Sequence, residues 1–138
     1  MAKKKVDQYQ VFISHSTKDK WIAQQLDQLL QTRGVATFRD DRDIEGGAKI
    51  PEEIREQLHR SKELLVLWTP QAIESKWVSM EVAMAFGLNL HLVAIRYLTT
   101  VESLPPCMLN LQAPELTERD VKKYVEDAAA RARQYRGG

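Results

Sequence analysis

Cysteine is almost missing from this 138-residue chain, with Cys107 standing alone. One thiol excludes an internal disulfide and any zinc site built on cysteines, and such sparing use suits a cytoplasmic protein in a reducing compartment. Long apolar runs are missing too. No stretch approaches the ~18–20 apolar residues that cross a bilayer, so no membrane partner is expected. The opening MAKKKVDQYQ carries three lysines with no apolar segment behind them. It reads as a disordered, solvated lead-in over residues 1–8, not as a secretory signal. Charge of one sign is also lacking. Twenty Lys and Arg stand against 19 Asp and Glu, for a net charge of +1. Without a basic stripe, nucleic acid is not expected as a partner. Internal repeats and low-complexity linkers are absent as well.

What is present is ordinary for a globular domain: 43% hydrophobic and 28% charged residues. The length predicts one domain, spanning residues 9–136. Short β-branched runs alternate with segments of helical periodicity. Tyr9–Ser14 reads as a strand. Asp19–Gly34 reads as a helix, with Ile22, Leu26, Leu29 and Leu30 at helical spacing and Gly34 as its stop. Val35–Phe38 reads as a second strand, followed by a polar loop, Arg39–Lys49. Ile50, Ile54 and Leu58 mark a helix face. Glu63–Trp68 is a continuous apolar run, expected of a strand covered on both faces. Lys76–Leu88 reads as helix and His91–Leu98 as strand. A short edge strand is predicted near Met108–Leu111, and a last helix starts at Thr117 and Asp120. This alternation implies a parallel sheet with helices on both faces.

Ligands of such sheets sit outside the carboxyl ends of the strands. Three segments meet that description: Ser14–Lys18, the Arg39–Lys49 loop and Thr69–Trp77. In SHSTKD, Ser16 or Thr17 can cap the next helix, with Asp19 in its first turn, and the same helix start can attract a phosphate. His15, a lone loop histidine, reads as solvated and not catalytic. The acidic loop RDDRDIEGG reads as solvated rather than metal-binding, so no metal is expected. Within it Ile44 is apolar among charges and suits packing or a partner, and Gly46 and Gly47 permit unusual backbone shapes.

The segment SKWVSMEVA places Trp77 and Glu81 four residues apart, on one helix face. Val78, Val82 and Ala83 read as the core stripe. In the plainest reading Trp77 is half-buried and Glu81 lies on the solvated side. Another reading is chemical. Cleavage of a glycosidic bond normally uses two carboxylates. A leaving group that is already cationic, such as the nicotinamide of NAD+, departs neutral and needs no acid. One carboxylate then suffices as nucleophile or electrostatic stabiliser, and an aromatic ring one turn away can stack on a base and exclude water.

Together VFISHSTKDK, FRDDRDIEGGAKIPEEI and ELLVLWTPQAIESKWVSMEVAMA, in this order and spacing, resemble the signatures of the TIR (Toll/interleukin-1 receptor) domain family. The resemblance runs from about Tyr9 to Leu98 and is greatest to the bacterial, NAD-consuming branch with its W-x-x-x-E segment. It implies a flavodoxin-like three-layer α/β sandwich, with a central parallel sheet of four to five strands and helices on both faces. It implies an NAD+ nucleosidase that releases nicotinamide and either ADP-ribose or a cyclic ADP-ribose isomer, in antiphage signalling or subversion of host signalling. NAD+ is then the substrate, and no cofactor is needed. Carried over, Glu81 falls on the catalytic glutamate and Trp77 on the aromatic shaping the pocket. Ser16 and Thr17 fall on the nucleotide-contacting first loop, and Glu45 on a substrate-contacting acidic position flanked by Phe38 and Asp40. Those relatives carry an arginine in the first loop where this chain has Ser16 and Thr17. The resemblance also implies homo-oligomers through the BB loop, with Ile44, Gly46 and Gly47 in the contact. A TIR module acting only through homotypic contacts is the alternative, although such adaptors generally lack this glutamate. A nucleoside deoxyribosyltransferase is a minor one.

Overall fold

The computed structural model describes residues 8–41, 51–111 and 113–137. Four strands form one sheet: β1 (Gln10–Ser14), β2 (Ala36–Arg39), β3 (Glu63–Trp68) and β4 (His91–Arg96). All pair in parallel, in the order β2-β1-β3-β4. The helices are α1 (Lys20–Thr32), α2 (Glu52–Arg60), a single turn α3 (Pro70–Ile73), α4 (Lys76–Gly87) and α5 (Glu118–Gly137). Among the described residues, no helix is long and apolar enough to cross a membrane.

Alternation along the strands sorts the core into two layers, because successive side chains leave a strand on opposite faces. Val11, Ile13, Leu65, Leu67 and Ile95 pack against α1 and α5. Phe12, Leu64, Val66, Trp68 and Ala94 pack against α2 and α4. The sequence thus builds the expected three-layer sandwich. Strand β3 is buried along its whole length, as its unbroken apolar run requires. Burial of Leu64, Leu65 and Leu67 is worth roughly 1.5–3 kcal/mol each.

Two of the short connections from helix back to strand, α1 to β2 and α4 to β4, use the same closing device. At the end of α1, Gly34 takes φ +78°, its N–H reaches the Gln31 carbonyl, and the Val35 N–H reaches that of Leu30. At the end of α4, Asn89 takes φ +59°, with equivalent bonds from Asn89 to Phe86 and from Leu90 to Ala85. Each is a Schellman ending, which satisfies two of the last carbonyls and turns the chain into the next strand.

Three expectations are corrected. The sheet has four strands. Where an edge strand is predicted near Met108–Leu111, the chain makes a 3-10 turn at Pro106–Met108, and among the described residues the addition beyond β4 is a single bridge between Arg96 and Glu115. Pro105 and Pro106 have no N–H to offer a ladder there. Strand β4 stops at Arg96, not Leu98, since Leu98 adopts φ +57°. Leu29 and Ala83 are exposed, whereas Ala23 on α1 and Ala85 on α4 are buried. Apolar spacing of three to four residues fits two adjacent stripes, and only the packed sheet selects one.

At the amino-terminal end of the sheet, Glu63 of β3 is fully buried and meets four donors. Tyr124 and Arg131 of α5 supply three of them, at 2.6, 2.8 and 3.1 Å, and the Tyr9 hydroxyl supplies the fourth at 2.5 Å. This fastens the last helix to the centre of the sheet. Burial, with the Glu63 charge, pushes the Tyr9 and Tyr124 hydroxyls above their ordinary values and keeps them as donors.

Candidate active site

In the order β2-β1-β3-β4 the chain reverses direction between β1 and β3. The crevice at such a reversal, at the carboxyl ends of the strands, is where sheets of this kind bind ligands. Ser14 closes β1 there, and Trp68 closes β3. Thr69 follows and caps α3 by accepting the Ala72 N–H, while its own hydroxyl donates to the buried carboxylate of Asp19. Ser75 caps α4 by accepting the Val78 N–H at 3.1 Å. These two caps set the short turn that delivers α4 against the sheet.

Glu81 occupies the second turn of α4 and points inward. It is only 3% exposed, among Val78, Val82 and Ala85. The solvated position is therefore not the one it takes. Its Oε1 accepts a hydrogen bond from the Ser14 hydroxyl at 2.6 Å. Phe12 and Ser14 share a strand face by alternation, and that face is the one covered by α4, so Ser14 is aimed at the helix. Burial pushes the Glu81 carboxyl up to about 8. The Ser14 bond opposes that shift, the negative charge of Asp40 adds to it, and the nearby Trp77 indole opposes it.

Trp77 lies one turn before Glu81, half-buried on the α2–α4 side of the core. Its indole N–H is buried, and has no hydrogen-bond partner of standard geometry among the described residues. Phe38 lies opposite Phe12 in the β1–β2 register, and their rings meet with centroids 5.3 Å apart. Phe38 and Asp40 therefore sit where β2 leaves the sheet, with Asp40 close enough for its charge to bear on Glu81.

The first loop is more inward than its sequence suggests. Ser16 is buried and its Oγ accepts the Lys18 N–H at 3.3 Å, starting a 3-10 turn at Thr17–Asp19 that precedes α1. Thr17 is exposed. His15 is buried, contrary to the solvated reading. Its Nδ1 meets the Ser16 carbonyl at 2.8 Å and its Nε2 meets the Asp41 carboxylate at 3.0 Å. Arg39 also reaches Asp41, at 3.1 Å. The end of β2 is thereby tied to the end of β1. No local pattern marks this pair, because the partners are 26 residues apart. Ser14, the residue that holds Glu81, was likewise not singled out, and its only sequence signal is its place at the end of a strand. Ile44, Glu45, Gly46 and Gly47 lie outside the described residues.

The arrangement joins a buried carboxyl of raised proton affinity, a hydroxyl bonded to it and an aromatic ring one helical turn away. Chemically, such a group can stabilise a developing positive charge in a place where water screens little.

Comparison with known proteins bears on this geometry. The family model for the TIR domain matches residues 11–133. The TMV resistance protein N of Nicotiana glutinosa is 32% identical over 71 residues, which is 50% of this chain and 6% of that protein. The chain thus spans a small part of that relative's length. Among solved structures, the TIR domains of the activated Roq1 resistosome, which directly recognises the pathogen effector XopQ, superpose with a TM-score of 0.71. The identity is 16%, over 86% of this chain and 98% of that one. A metazoan TIR-STING receptor from C. gigas, in complex with 2',3'-cGAMP, superposes with a TM-score of 0.69 at 23% identity. The match covers 86% of this chain and 39% of the receptor. At these identities the structural likenesses bear on the fold alone.

Proposed function

The chain belongs to the TIR domain family, and from that premise we propose that it is an NAD+ nucleosidase, with Glu81 as its catalytic carboxylate. The observation that supports this is the burial of Glu81 at the sheet's point of reversal, held by Ser14 and preceded by Trp77 one turn earlier on the same helix.

The mechanism follows from charge. NAD+ carries a positive nicotinamide ring, and breaking its bond to ribose moves positive charge onto the ribosyl centre. A cation brought beside a buried carboxyl lowers its proton affinity. Glu81 releases its proton to solvent water as the substrate enters, and the carboxylate then faces the ribosyl centre as charge grows there. Nicotinamide leaves neutral, so no second group is required as an acid. Trp77 stacks on a ring of the substrate and keeps water out. Phe38 and Asp40 line the β2 side, Ser16 and Thr17 the first loop, and Glu45 contacts substrate from the loop that follows β2. Capture of the ribosyl centre by water gives ADP-ribose, and capture by another part of the same molecule gives a cyclic isomer.

Copies associate through the segment that corresponds to the family's BB loop, with Ile44, Gly46 and Gly47 in the contact, and the proposed activity rises with association. The setting is immune signalling, either bacterial antiphage defence or subversion of a host pathway. A resistance protein among the similar proteins supports the defence theme in general.

One observation favours a second reading, an interaction module without catalysis. An open groove of about 580 Å³ between α1 and α5 is lined by Trp21, Leu29, Tyr97 and Val121, and Trp21 is 70% exposed. The two readings part in one experiment. The purified domain, concentrated or tethered on beads, is incubated with NAD+ beside Glu81→Ala, and released nicotinamide is measured by chromatography. Release by the wild type alone supports the enzyme. No release at high density from folded protein supports the module.

A further inference from the structure

Among the described residues around the carboxyl ends of β1 and β3, the hydroxyls of Ser16, Ser75 and Thr69 cap turns or helices. Ser16 accepts the Lys18 N–H, Ser75 accepts the Val78 N–H, and Thr69 accepts the Ala72 N–H while donating to Asp19. Ser14 differs. It is 1% exposed, its backbone belongs to the ladder opposite Val66, and its Oγ contacts Glu81 Oε1 at 2.6 Å. The two residues are 67 positions apart, so this contact begins no helix and closes no turn.

We propose that Ser14 is a positioning residue for the reaction, fixing the Oε1 edge of Glu81 so that its other oxygen faces the substrate, and keeping that orientation in both protonation states. The proposal rests on the reading of Glu81 as the catalytic carboxylate. A hydroxyl suits this task because it both donates and accepts. To the carboxylate Ser14 donates, and a hydrogen bond to a charged oxygen is stronger than one to a neutral group. From the carboxylic acid it can accept. A lysine in its place, which only donates, would fit the ionised state alone. The same bond favours the ionised form against the burial that opposes it. Among the described residues, the other charged group bearing on this carboxyl is Asp40, and the Trp77 indole is a further polar neighbour.

The test is the pH profile of NAD+ cleavage for wild type, Ser14→Ala and Ser14→Thr, with Glu81→Ala as the inactive reference. Without the hydroxyl, the acid limb of the kcat profile moves up by about one pH unit or more, a roughly tenfold change in proton affinity. At neutral pH kcat falls at least tenfold with little change in KM, and raising the pH recovers part of the loss. Ser14→Thr, which keeps the hydroxyl on a side chain at home in strands, returns the profile toward wild type. If Ser14→Ala does not fold, Ser14→Cys, a weaker donor, is measured in its place and shifts the limb in the same direction. An active Ser14→Ala enzyme whose acid limb stays in place overturns the role of Ser14 while leaving Glu81 as the catalytic group. A wild type that cleaves no NAD+ at high density overturns both, and the wild-type measurement alone reveals it.

Discussion

Arg131 forks onto Glu63 through Nε at 2.8 Å and Nη2 at 3.1 Å, joining the last helix to the middle strand across 68 residues of chain. Glu63 is fully buried, so its charge depends on these donors. Removal of one partner from a buried pair is costly because the remaining charge is stranded. The two tyrosine hydroxyls still bind Glu63, which limits the loss. Arg131→Met is expected to destabilise the domain by about 2–3 kcal/mol. Chemical denaturation at neutral pH measures this, and a loss below roughly 0.5 kcal/mol contradicts it.

Glu81 makes stability depend on pH in a stated direction. Its carboxyl is pushed from the ordinary 4.5 up to about 8. Between those values the folded chain holds a proton that the unfolded chain releases. The contribution of Glu81 to stability is therefore fully present below about 4.5 and is lost as pH rises through about 8. Glu81→Gln removes this dependence. The variant is expected to match wild type near pH 4 and to exceed it by on the order of 1–3 kcal/mol at pH 9. Melting curves of the two proteins at matched pH check the difference, and a gap that narrows with rising pH contradicts it.

The same residue separates stability from activity. Glu81→Ala is expected to lower NAD+ cleavage by roughly 100-fold or more, as loss of a transition-state charge partner does. Trp77→Ala is expected to raise KM by about tenfold, the value of one stacking contact, while Trp77→Phe keeps most of the affinity. Nicotinamide release over a range of NAD+ concentrations separates kcat from KM. Equal losses in Trp77→Phe and Trp77→Ala would assign the indole N–H, rather than the ring, as the contact.

Gly34 isolates a backbone effect. It sits at φ +78°, and a Cβ added there meets nothing within 4 Å. Gly34→Ala therefore pays only for the left-handed conformation, about 1 kcal/mol. Urea unfolding should show that loss with an unchanged slope. A neutral result would mean that the chain leaves α1 by another route.

Much of the framework was legible in the sequence. The alternation of β-branched runs with helical spacing marked each of the four strands, and the apolar run Leu64–Trp68 marked the central one. Gly34 as a helix stop and Thr117 as the start of α5 are local signals, and each makes the bond it promises. The misreadings share one cause. Leu29, Ala83, His15 and the Met108–Leu111 segment have local patterns compatible with two environments, and local pattern alone does not select between them.

By itself, then, the sequence determined the order of elements and their ends, because propensity, capping and periodicity act over a few residues. Only the tertiary structure decided that Glu81 is buried, that Ser14 is the group that holds it, and that His15 meets Asp41. Those pairings join residues 67 and 26 positions apart. They depend on which strands become neighbours and on which sheet face α4 covers. The free energy that settles both is the burial of two whole apolar layers at once, and no single segment carries it.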